Sequence, residues 1–368
     1  MNVKIFYGGA SGFRKILPTD DYKPIVDLAI LDDARHRKIK VNVEDNRIED
    51  DEEVLHFDNV VAFSDGYPSL TESTIESFTN LVLRYDIDNL YLQNPPDSIT
   101  NHIQELSCVT CISDSQEYKV IDMDLLRKIK TDFSEAVIGQ ENAQKRILAA
   151  LYNVAKRRYN KPCVMLFYGS TGIGKTESAK FIADVLGEQL FRKQFSMLHS
   201  GEFSSYIFGG KHNQNSLAKE LLERESNVIL FDEFDKPHPV FHSAFYQLFD
   251  EGVYVDKNFT VKMKDSVIIC TSNYMSEKEI KSALGEPIFS RFDAVIKFEK
   301  LDTNAIHKIM QKEFENQYSA LEKPERDIID QSGIKNSIFA LVPDLDNARQ
   351  IRKIIREAFS AVLVRELL

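Results

Sequence analysis

The chain of 368 residues has no tryptophan, only four cysteines and no apolar run that approaches about 18 residues. The lack of such a run excludes a membrane-spanning helix, which needs about 20 mostly apolar residues. The first residues, MNVKIFYGG, contain an apolar stretch too short for a secretory signal. We therefore expect a cytoplasmic protein with no membrane partner, and the length predicts two or three domains.

The four cysteines give no sign of a metal or redox site. Cys163 and Cys270 lie in apolar runs, where cysteine acts as a small hydrophobic residue. Cys108 and Cys111 form C-V-T-C, but a zinc site would need a second pair of ligands and a redox motif would need a helix directly after it. We predict structural roles for all four.

Glycine is also scarce, with 15 in the chain, yet three of them fall in the stretch LFYGSTGIGKTESAK. The stretch fits the pattern G-x-x-x-x-G-K-[ST], and it follows a buried-strand pattern, PCVMLFY, and precedes a helical pattern, KTESAKFIADVL. Bare backbone lets successive N–H groups curl around phosphate oxygens at a helix N-terminus. The loop residues that we expect to bind phosphate are Gly169, Ser170, Thr171, Gly172, Ile173 and Gly174.

The two residues after this loop would complete an ATP and Mg²⁺ site. Lys175 would reach the β- and γ-phosphates, and the Thr176 hydroxyl would bind Mg²⁺. The alternative is an ordinary glycine turn between a strand and a helix, which would not require the whole motif.

Two further apolar strands end in polar residues that fit hydrolysis. In NVILFDEFDKPHP, Asp232 is placed to orient Mg²⁺ through water, and Glu233 is the candidate general base for the attacking water. In VIICTSNY, Asn273 could hydrogen-bond the γ-phosphate or that water. The alternatives are an exposed acidic turn and a strand that stops at a turn-forming asparagine.

Together these segments resemble a Clp-type AAA+ ATPase, the ring domain of the protein-remodelling chaperones, from about Val137 to the C-terminus. The similar segments are VIGQENAQKRILAAL, LFDEFDKPHPVFHSAFYQLFDEG, IICTSN, IFSRFDAVIKFEKL and DNARQIRKII. The resemblance implies ATP hydrolysis in a homo-oligomeric, hexameric ring.

The resemblance also assigns roles outside the loop. It implies that Val137 and Ile138 flank the adenine, that Arg291 is an arginine finger and that Arg349 is the sensor-2 arginine. From the residues alone, Arg291 could be a surface arginine, and Arg352 and Arg356 compete with Arg349 on the same helical pattern.

One segment departs from the family. The remodelling chaperones carry an aromatic pore loop, typically G-Y-V-G, where this chain reads SGEFSSYIFGGKHNQNSLAKEL. The segment is shorter and polar after its glycines, which predicts weak processive unfolding. Tyr206 or Phe208 could grip from a shifted position.

The acidity of the chain belongs to its N-terminal third. Residues 1–125 hold 11 Lys and Arg against 24 Asp and Glu, a net charge of −13, within a total of −11. Such a charge repels nucleic acid phosphates. The densest segment, EDNRIEDDEE from Glu44 to Glu53, is either a solvated loop or a docking surface for a basic partner.

Strand and helix patterns alternate in this third, which predicts a small α/β domain with a mainly parallel sheet. One helix is expected to open with a capping box from Ser73 to Glu76. The glycine-rich FYGGASGF lacks a following Lys-Thr and a clear helix, and Ser64 and Asp65 at a strand end fit a turn better than a site.

The expected fold is therefore α/β, with a P-loop AAA+ core around a parallel sheet, a C-terminal helical lid and a separate small α/β N-terminal domain. The predicted boundaries are 1–120 for the N-terminal domain, 121–136 for a helical linker, 137–300 for the core and 301–368 for the lid.

Three functions remain open on this reading. The first is a ring ATPase that remodels or regulates a protein partner recruited by the N-terminal domain. The second is a slow ATP-dependent switch or scaffold without threading activity. The third, a nucleic acid motor or loader, is disfavoured by the acidic N-terminal domain and the lack of a basic stripe with interleaved aromatics.

Overall fold

The computed structural model describes residues 1–18, 21–44, 54–158, 160–197, 200–342 and 345–367. Most of the acidic segment Glu44–Glu53, the predicted loop or docking surface, lies outside these ranges. The chain divides into two compact units. The first combines Met1–Tyr118 with Leu198–Glu225 and Gly252–Met263, and the second combines Lys119–Met197, Ser226–Glu251 and Lys264–Leu368. The domain boundaries expected from the sequence stay predictions.

The strands of the described chain are β1 Asn2–Tyr7, β2 Lys23–Pro24, β3 His56–Ala62, β4 Asp86–Gln93, β5 Thr110–Ser115, β6 Cys163–Tyr168, β7 Phe191–Gln194, β8 Val228–Asp232, β9 Val253–Val255, β10 Thr260–Lys262, β11 Val267–Ser272 and β12 Ala294–Lys297.

The α-helices are α1 Ala10–Ile16, α2 Ile25–Glu44, α3 Glu72–Glu76, α4 Phe78–Leu83, α5 Asp97–Gln104, α6 Met123–Ala136, α7 Glu141–Ala155, α8 Lys175–Leu186, α9 Ser200–Phe208, α10 Leu217–Leu222, α11 Tyr246–Glu251, α12 Glu277–Leu284, α13 Glu286–Phe289, α14 Thr303–Ser319, α15 Lys323–Ser332, α16 Ile334–Phe339 and α17 Ala348–Leu367.

The first unit is built on a parallel sheet with the strand order β2-β3-β4-β1-β5. Strands and helices alternate along the chain as the sequence predicts, and an apolar core that includes Val60, Leu90 and Phe78 lies between them. Parallel strands need crossover connections, which the helices supply. The α/β fold class is therefore confirmed.

Two local predictions in this unit are wrong. Helix α3 begins at Glu72 with Thr71 as its N-cap, so Ser73 lies inside the helix and does not open a capping box. The Thr71 hydroxyl accepts the backbone N–H of Thr74, which satisfies one of the donors at the helix start. The glycine-rich turn after β1 is followed by a short helix, α1, where no clear helix was expected.

The segments Leu198–Glu225 and Gly252–Met263 form hydrogen bonds with Met1–Tyr118, the N-terminal part of the same unit. His212 contacts the Leu70 carbonyl through Nε2, at 2.8 Å. The Thr260 hydroxyl donates to Asp97 at 2.7 Å, and the Ser11 hydroxyl lies 2.8 Å from both carboxylate oxygens of Glu225. These segments include α9, α10 and the antiparallel β9–β10 hairpin. The stretch expected to form a pore loop is therefore packed within the first unit.

The second unit is built on a parallel sheet with the order β12-β6-β11-β8-β7. The central strands β6, β8 and β11 are buried along their whole length, as their apolar runs predict. Helix α8 follows β6 after the glycine loop and buries Ala179, Ile182, Ala183 and Leu186, which lie at helical spacing. Because all five strands run the same way, their carboxyl ends meet along one edge, where ligands bind in open α/β sheets.

Helix α6 lies in the segment predicted to be a helical linker, and Asp122 caps it by accepting hydrogen bonds from the N–H groups of Asp124 and Leu125. After β12 the chain is helical from α14 to α17. Helix α17 packs against α14, α15 and α16 and buries Ile351 and Ile355. The Ile351/Ile355 face thus joins α17 to the core of the unit.

Cys163 and Cys270 are buried on β6 and β11, as expected for small hydrophobic residues. Burial raises the pKa of the Cys163 thiol to about 12, so it stays protonated and unreactive near neutral pH. Within the described residues, no helix combines the length and the apolar character needed to cross a membrane.

Candidate functional site

A cleft of about 620 Å³ opens at the carboxyl edge of the second sheet, within the usual size range of small-molecule sites. It is lined by the glycine loop, the ends of β8 and β11, the segment just before α7, and the helices α14 and α17. The lining residues expected from the sequence are Val137, Ile138, Thr171, Gly172, Ile173, Gly174, Lys175, Thr176, Asp232, Glu233, Asn273 and Arg349.

The glycine loop adopts a backbone that only glycine accepts easily. Gly169, Gly172 and Gly174 have φ values of 133°, 73° and 110°. A side chain at Gly169 would place its Cβ 2.6 Å from the Phe298 carbonyl oxygen, and one at Gly174 would lie 2.8 Å from Val137. These glycines are therefore needed for conformation as well as for access to a ligand.

Lys175 is the first residue of α8, and its ammonium is held over the loop. It donates to the carbonyl oxygens of Gly169 at 2.5 Å and Ser170 at 2.7 Å, and to Asn273 Oδ1 at 3.1 Å. Gly169 and Ser170 thus position the lysine through their carbonyls. Burial lowers the pKa of Lys175 to about 8; the charge of Arg349 acts in the same direction and Asp232 opposes it.

The two acids at the end of β8 are linked through one hydroxyl. Thr271, on the neighbouring strand β11, donates through Oγ1 to Asp232 Oδ1 and accepts the backbone N–H of Glu233 at 2.9 Å. Glu233 has a φ of 56°, a conformation that is rare for a side chain of this kind and is found at functional sites. The strained turn directs the two carboxylates to different places in the same cleft.

Strand β7 contributes two site residues that the sequence analysis missed. Arg192 donates to Asp232 Oδ2 through Nε at 3.1 Å and Nη2 at 2.6 Å. Gln194 donates to Glu233 Oε2 at 3.3 Å. The residues are two apart and so share one face of the strand. FRKQ matches no motif, and only the pairing of β7 with β8 brings its side chains to the acids.

Gln140 is a third residue that the sequence analysis missed. Its side-chain amide donates to the carbonyl oxygens of Ile173 at 3.1 Å and Glu299 at 2.9 Å, and its Oε1 accepts the Glu299 N–H at 3.0 Å. The side chain is buried and bridges the glycine loop to the segment after β12. Gln140 thus holds the glycine loop in place close in the chain to Val137 and Ile138, which line the cleft.

The donor set fits Mg²⁺. The Thr176 hydroxyl and the Asp232 carboxylate line the same cleft, and both offer the hard oxygen ligands that Mg²⁺ prefers. Only 10% of the Asp232 side chain is exposed, so its charge acts in a partly desolvated place.

A protein-family model described as "AAA domain (Cdc48 subfamily)" matches residues 160–321, which include the glycine loop and both acids. Residues 160–321 are thus similar to an AAA domain. The resemblance to Clp-type AAA+ proteins is likewise confirmed over part of the chain.

Three curated relatives illustrate the likeness. The mitochondrial disaggregase of Homo sapiens is 37% identical over 164 residues, covering 41% of this chain and 23% of that protein. The chaperone protein ClpB of Rickettsia felis is 28% identical over 249 residues, covering 60% of this chain and 28% of that protein. The ATP-binding subunit ClpL of Staphylococcus aureus is 30% identical over 218 residues, covering 51% and 30%. The chain thus spans under a third of these relatives.

Among solved structures, the S. cerevisiae Hsp104–ADP complex matches with a TM-score of 0.47 and 22% identity, covering 57% of this chain and 44% of that chain. The human relative is named mitochondrial. The cytoplasmic location of this chain therefore stays a prediction.

Downstream of the AAA domain match, α17 begins against the glycine loop. The Ala348 N–H donates to the Gly172 carbonyl at 2.9 Å, and Arg349 follows in the cleft lining. Arg352 also lines the cleft, but its guanidinium is ion-paired with Glu313 at 3.3 Å. Arg356 is not among the described residues that line the cleft. The geometry therefore favours Arg349 over Arg352 and Arg356 for the predicted sensor-2 role.

Arg291 lies elsewhere in the AAA domain. Its Nε donates to Asp250 at 2.8 Å, its Nη1 donates to the Pro287 carbonyl at 2.5 Å, and its guanidinium lies 4.3 Å from the centre of the Tyr246 ring. The described lining of the cleft in the same chain does not include it. Its guanidinium thus has partners outside the Lys175 cleft.

The two aromatics of the shortened pore segment differ. Tyr206 is buried and its hydroxyl donates to Glu220 at 2.6 Å, whereas 39% of Phe208 is exposed. The Phe208 carbonyl accepts the Lys257 N–H at 3.0 Å, which ties the end of α9 to the β9–β10 hairpin. Of this pair, only Phe208 presents substantial apolar surface to solvent.

Nucleotide affinity should depend on the charge of Lys175. The ammonium is charged below its pKa of about 8 and loses its proton above it. We expect the affinity for ATP, measured in EDTA by a fluorescent analogue, to be level below about pH 8 and then to fall by roughly tenfold per pH unit. Lys175→Arg, which stays charged, should bind with no such decline. A level wild-type affinity up to about pH 9.5 would contradict this role.

Proposed function

We propose that this chain hydrolyses ATP in the Lys175 cleft as one subunit of a homo-oligomeric ring, and that turnover remodels a protein partner. The observation that carries the proposal is the convergence of Lys175, Asp232 and Glu233 on one cleft behind a glycine loop. Each of these side chains has a separate task in phosphoryl transfer, where catalysis rests on positioning and charge stabilisation.

The proposed role of each residue follows from its position in the cleft. The loop N–H groups and Lys175 bind the phosphates, and Arg349 adds positive charge from α17. Mg²⁺, held by Thr176 and through water by Asp232, would offset the charge of the β- and γ-phosphates. Val137 and Ile138 offer apolar surface for the adenine on the far side of the loop.

Glu233 is the proposed general base. Its carboxylate lines the cleft, and Gln194 bonds one of its oxygens, which leaves the other to accept a proton from the attacking water. Asn273 bonds Lys175 and would lie beside the γ-phosphate once the lysine turns to it.

We propose that Arg291 completes the site of a neighbouring subunit. A guanidinium from outside the subunit can stabilise charge on the γ-phosphate. Its separation from its own cleft and its anchoring by Asp250 and Tyr246 support a role across a subunit boundary. A ring, hexameric by analogy with Clp-type proteins, would give every cleft such an arginine.

The action on a protein partner rests on the relatives, named a disaggregase and a chaperone. The acidic N-terminal part of the first unit is the proposed recruiting surface, for a protein rather than a nucleic acid. A switch or scaffold without threading is the second candidate, favoured only by the burial of Tyr206 and the missing G-Y-V-G.

Glu233→Gln should bind ATP with near wild-type affinity and lose turnover by roughly 10²-fold to 10⁴-fold, because an amide cannot accept the proton of the attacking water. Phosphate release and nucleotide binding are measured on the same preparation. Glu251→Gln, an exposed acid at the end of α11, is the control and should hydrolyse ATP normally. Near wild-type turnover by Glu233→Gln would show that Glu233 is not the base.

Arg291→Ala should lose turnover by roughly 10³-fold while ATP affinity stays largely intact. Lys175→Ala should fail to bind nucleotide but still present Arg291. Mixing the two inactive variants should restore part of the hydrolysis, because Arg291→Ala subunits then bind ATP beside a neighbour that supplies the arginine. If mixed rings form, as checked by native mass spectrometry, and no activity returns, the arginine does not act in trans.

Unfolding of a fluorescent reporter fused to an unfolded tail should be weak, and Phe208→Ala should abolish it while ATP turnover continues. Phe208 is expected to supply the apolar contact that a moving chain needs. Tyr206→Phe keeps the buried ring and is the control. Robust unfolding that survives Phe208→Ala would rule out this grip. Steady turnover with no unfolding by the wild type would favour the switch.

A further inference from the structure

Both carboxylate oxygens of Asp232 accept hydrogen bonds from protein groups. Oδ1 accepts the Thr271 hydroxyl, and Oδ2 accepts two N–H groups of Arg192, at 2.6 Å and 3.1 Å. A hydrated Mg²⁺ that is to be oriented by Asp232 must hydrogen-bond to one of these oxygens. The two N–H groups of Arg192 fill both acceptor positions of Oδ2, whereas Oδ1 accepts one bond from Thr271. A water of the Mg²⁺ shell that binds Oδ2 must therefore displace Arg192.

The two partners differ in how readily they can move. Thr271 is a buried residue within β11, and its hydroxyl is also fixed by the Glu233 N–H. Arg192 has a long side chain that is 44% exposed and lines the cleft. Arg192 can thus swing toward solvent or toward the phosphates at little cost, whereas Thr271 cannot leave without disturbing the sheet.

We propose that Arg192 is a positioning residue of the Mg²⁺ site: its guanidinium and the water shell of Mg²⁺ compete for Oδ2 of Asp232. The proposal rests on the nucleotide cleft proposed above. Arg192 holds the buried carboxylate neutralised and correctly oriented, then yields Oδ2 when Mg²⁺ arrives with the nucleotide. Once displaced, the guanidinium remains in the cleft beside Lys175, where it faces the phosphates.

Competition makes opposite predictions for two measurements. Without Arg192, the negative charge of Asp232 is no longer offset and repels the phosphates, so ATP binding in the absence of Mg²⁺ weakens. Without the same residue, Mg²⁺ meets no competitor at Oδ2, so less Mg²⁺ is needed to restore ATP binding. If the role of Arg192 were merely structural, its loss would weaken ATP binding both without Mg²⁺ and with Mg²⁺.

The test is Arg192→Met, which keeps much of the side-chain length and removes all donors. Binding of a fluorescent ATP analogue is measured in EDTA and over a series of Mg²⁺ concentrations. We expect the affinity in EDTA to fall about 5-fold to 10-fold and the half-saturating Mg²⁺ concentration to fall about 5-fold, as for loss of a charge-assisted, partly exposed pair. Arg192→Lys should lie between wild type and Arg192→Met.

Arg352→Gln is the matched control, because it removes a cationic group from the same cleft without touching Asp232. It should weaken ATP binding without lowering the half-saturating Mg²⁺ concentration. An unchanged or higher Mg²⁺ requirement in Arg192→Met, with Arg192→Lys agreeing, would overturn the proposal. If the Mg²⁺ shift appears but the wild type releases no phosphate, hydrolysis fails as the function and the competition stands.

Discussion

The candidate site depends on the close approach of bare backbone in the glycine loop to two other parts of the second unit. A Cβ at Gly172 would lie 2.9 Å from Asn347, just before the lid helix α17, and a Cβ at Gly174 would lie 2.8 Å from Val137. Any larger residue would push these elements apart. The same glycines that are proposed to expose N–H groups to a phosphate therefore also allow the start of α17 and the proposed adenine segment to approach the loop.

The positions of Asp232 and Glu233 depend on how the strands of the second sheet pair. Strands β7, β8 and β11 are neighbours, so the ends of three strands place Arg192, Asp232 and Thr271 within hydrogen-bonding distance. The Thr271 hydroxyl serves both Asp232 and the N–H of Glu233. Since the two acids share this one anchor, a shift in the pairing of β8 with β11 would displace the proposed metal ligand and the proposed base together.

Sequence reasoning succeeded where a local pattern carries its own chemistry. The glycine loop, the buried strand before it and the helix from Lys175 follow from spacing and apolar runs, and the cleft collects the predicted residues from five separate segments. The roles assigned to those residues stay predictions. The N-cap at Thr71 was missed because Thr71 and Ser73, two residues apart, are both residue types that cap helices.

The site residues that could not be predicted from the sequence are those whose contacts form only when distant segments pair in the fold. Arg192, Gln194 and Gln140 have ordinary neighbours in the chain, and the site residues that they bond, Asp232, Glu233 and Ile173, lie 33 or more residues away. The pore segment was recognised as altered, but only the structure shows that Tyr206 is buried against Glu220 and that the segment packs with the N-terminal part of the first unit.

The central claim is that this chain is an ATPase whose site is complete only beside a second subunit. The most direct test is phosphate release per subunit from Mg·ATP as a function of protein concentration, with assembly followed by light scattering. The account predicts that turnover per subunit rises with concentration and levels off where assembly is complete. Turnover per subunit that does not change from the dissociated to the assembled range, or no release at any concentration, would contradict it.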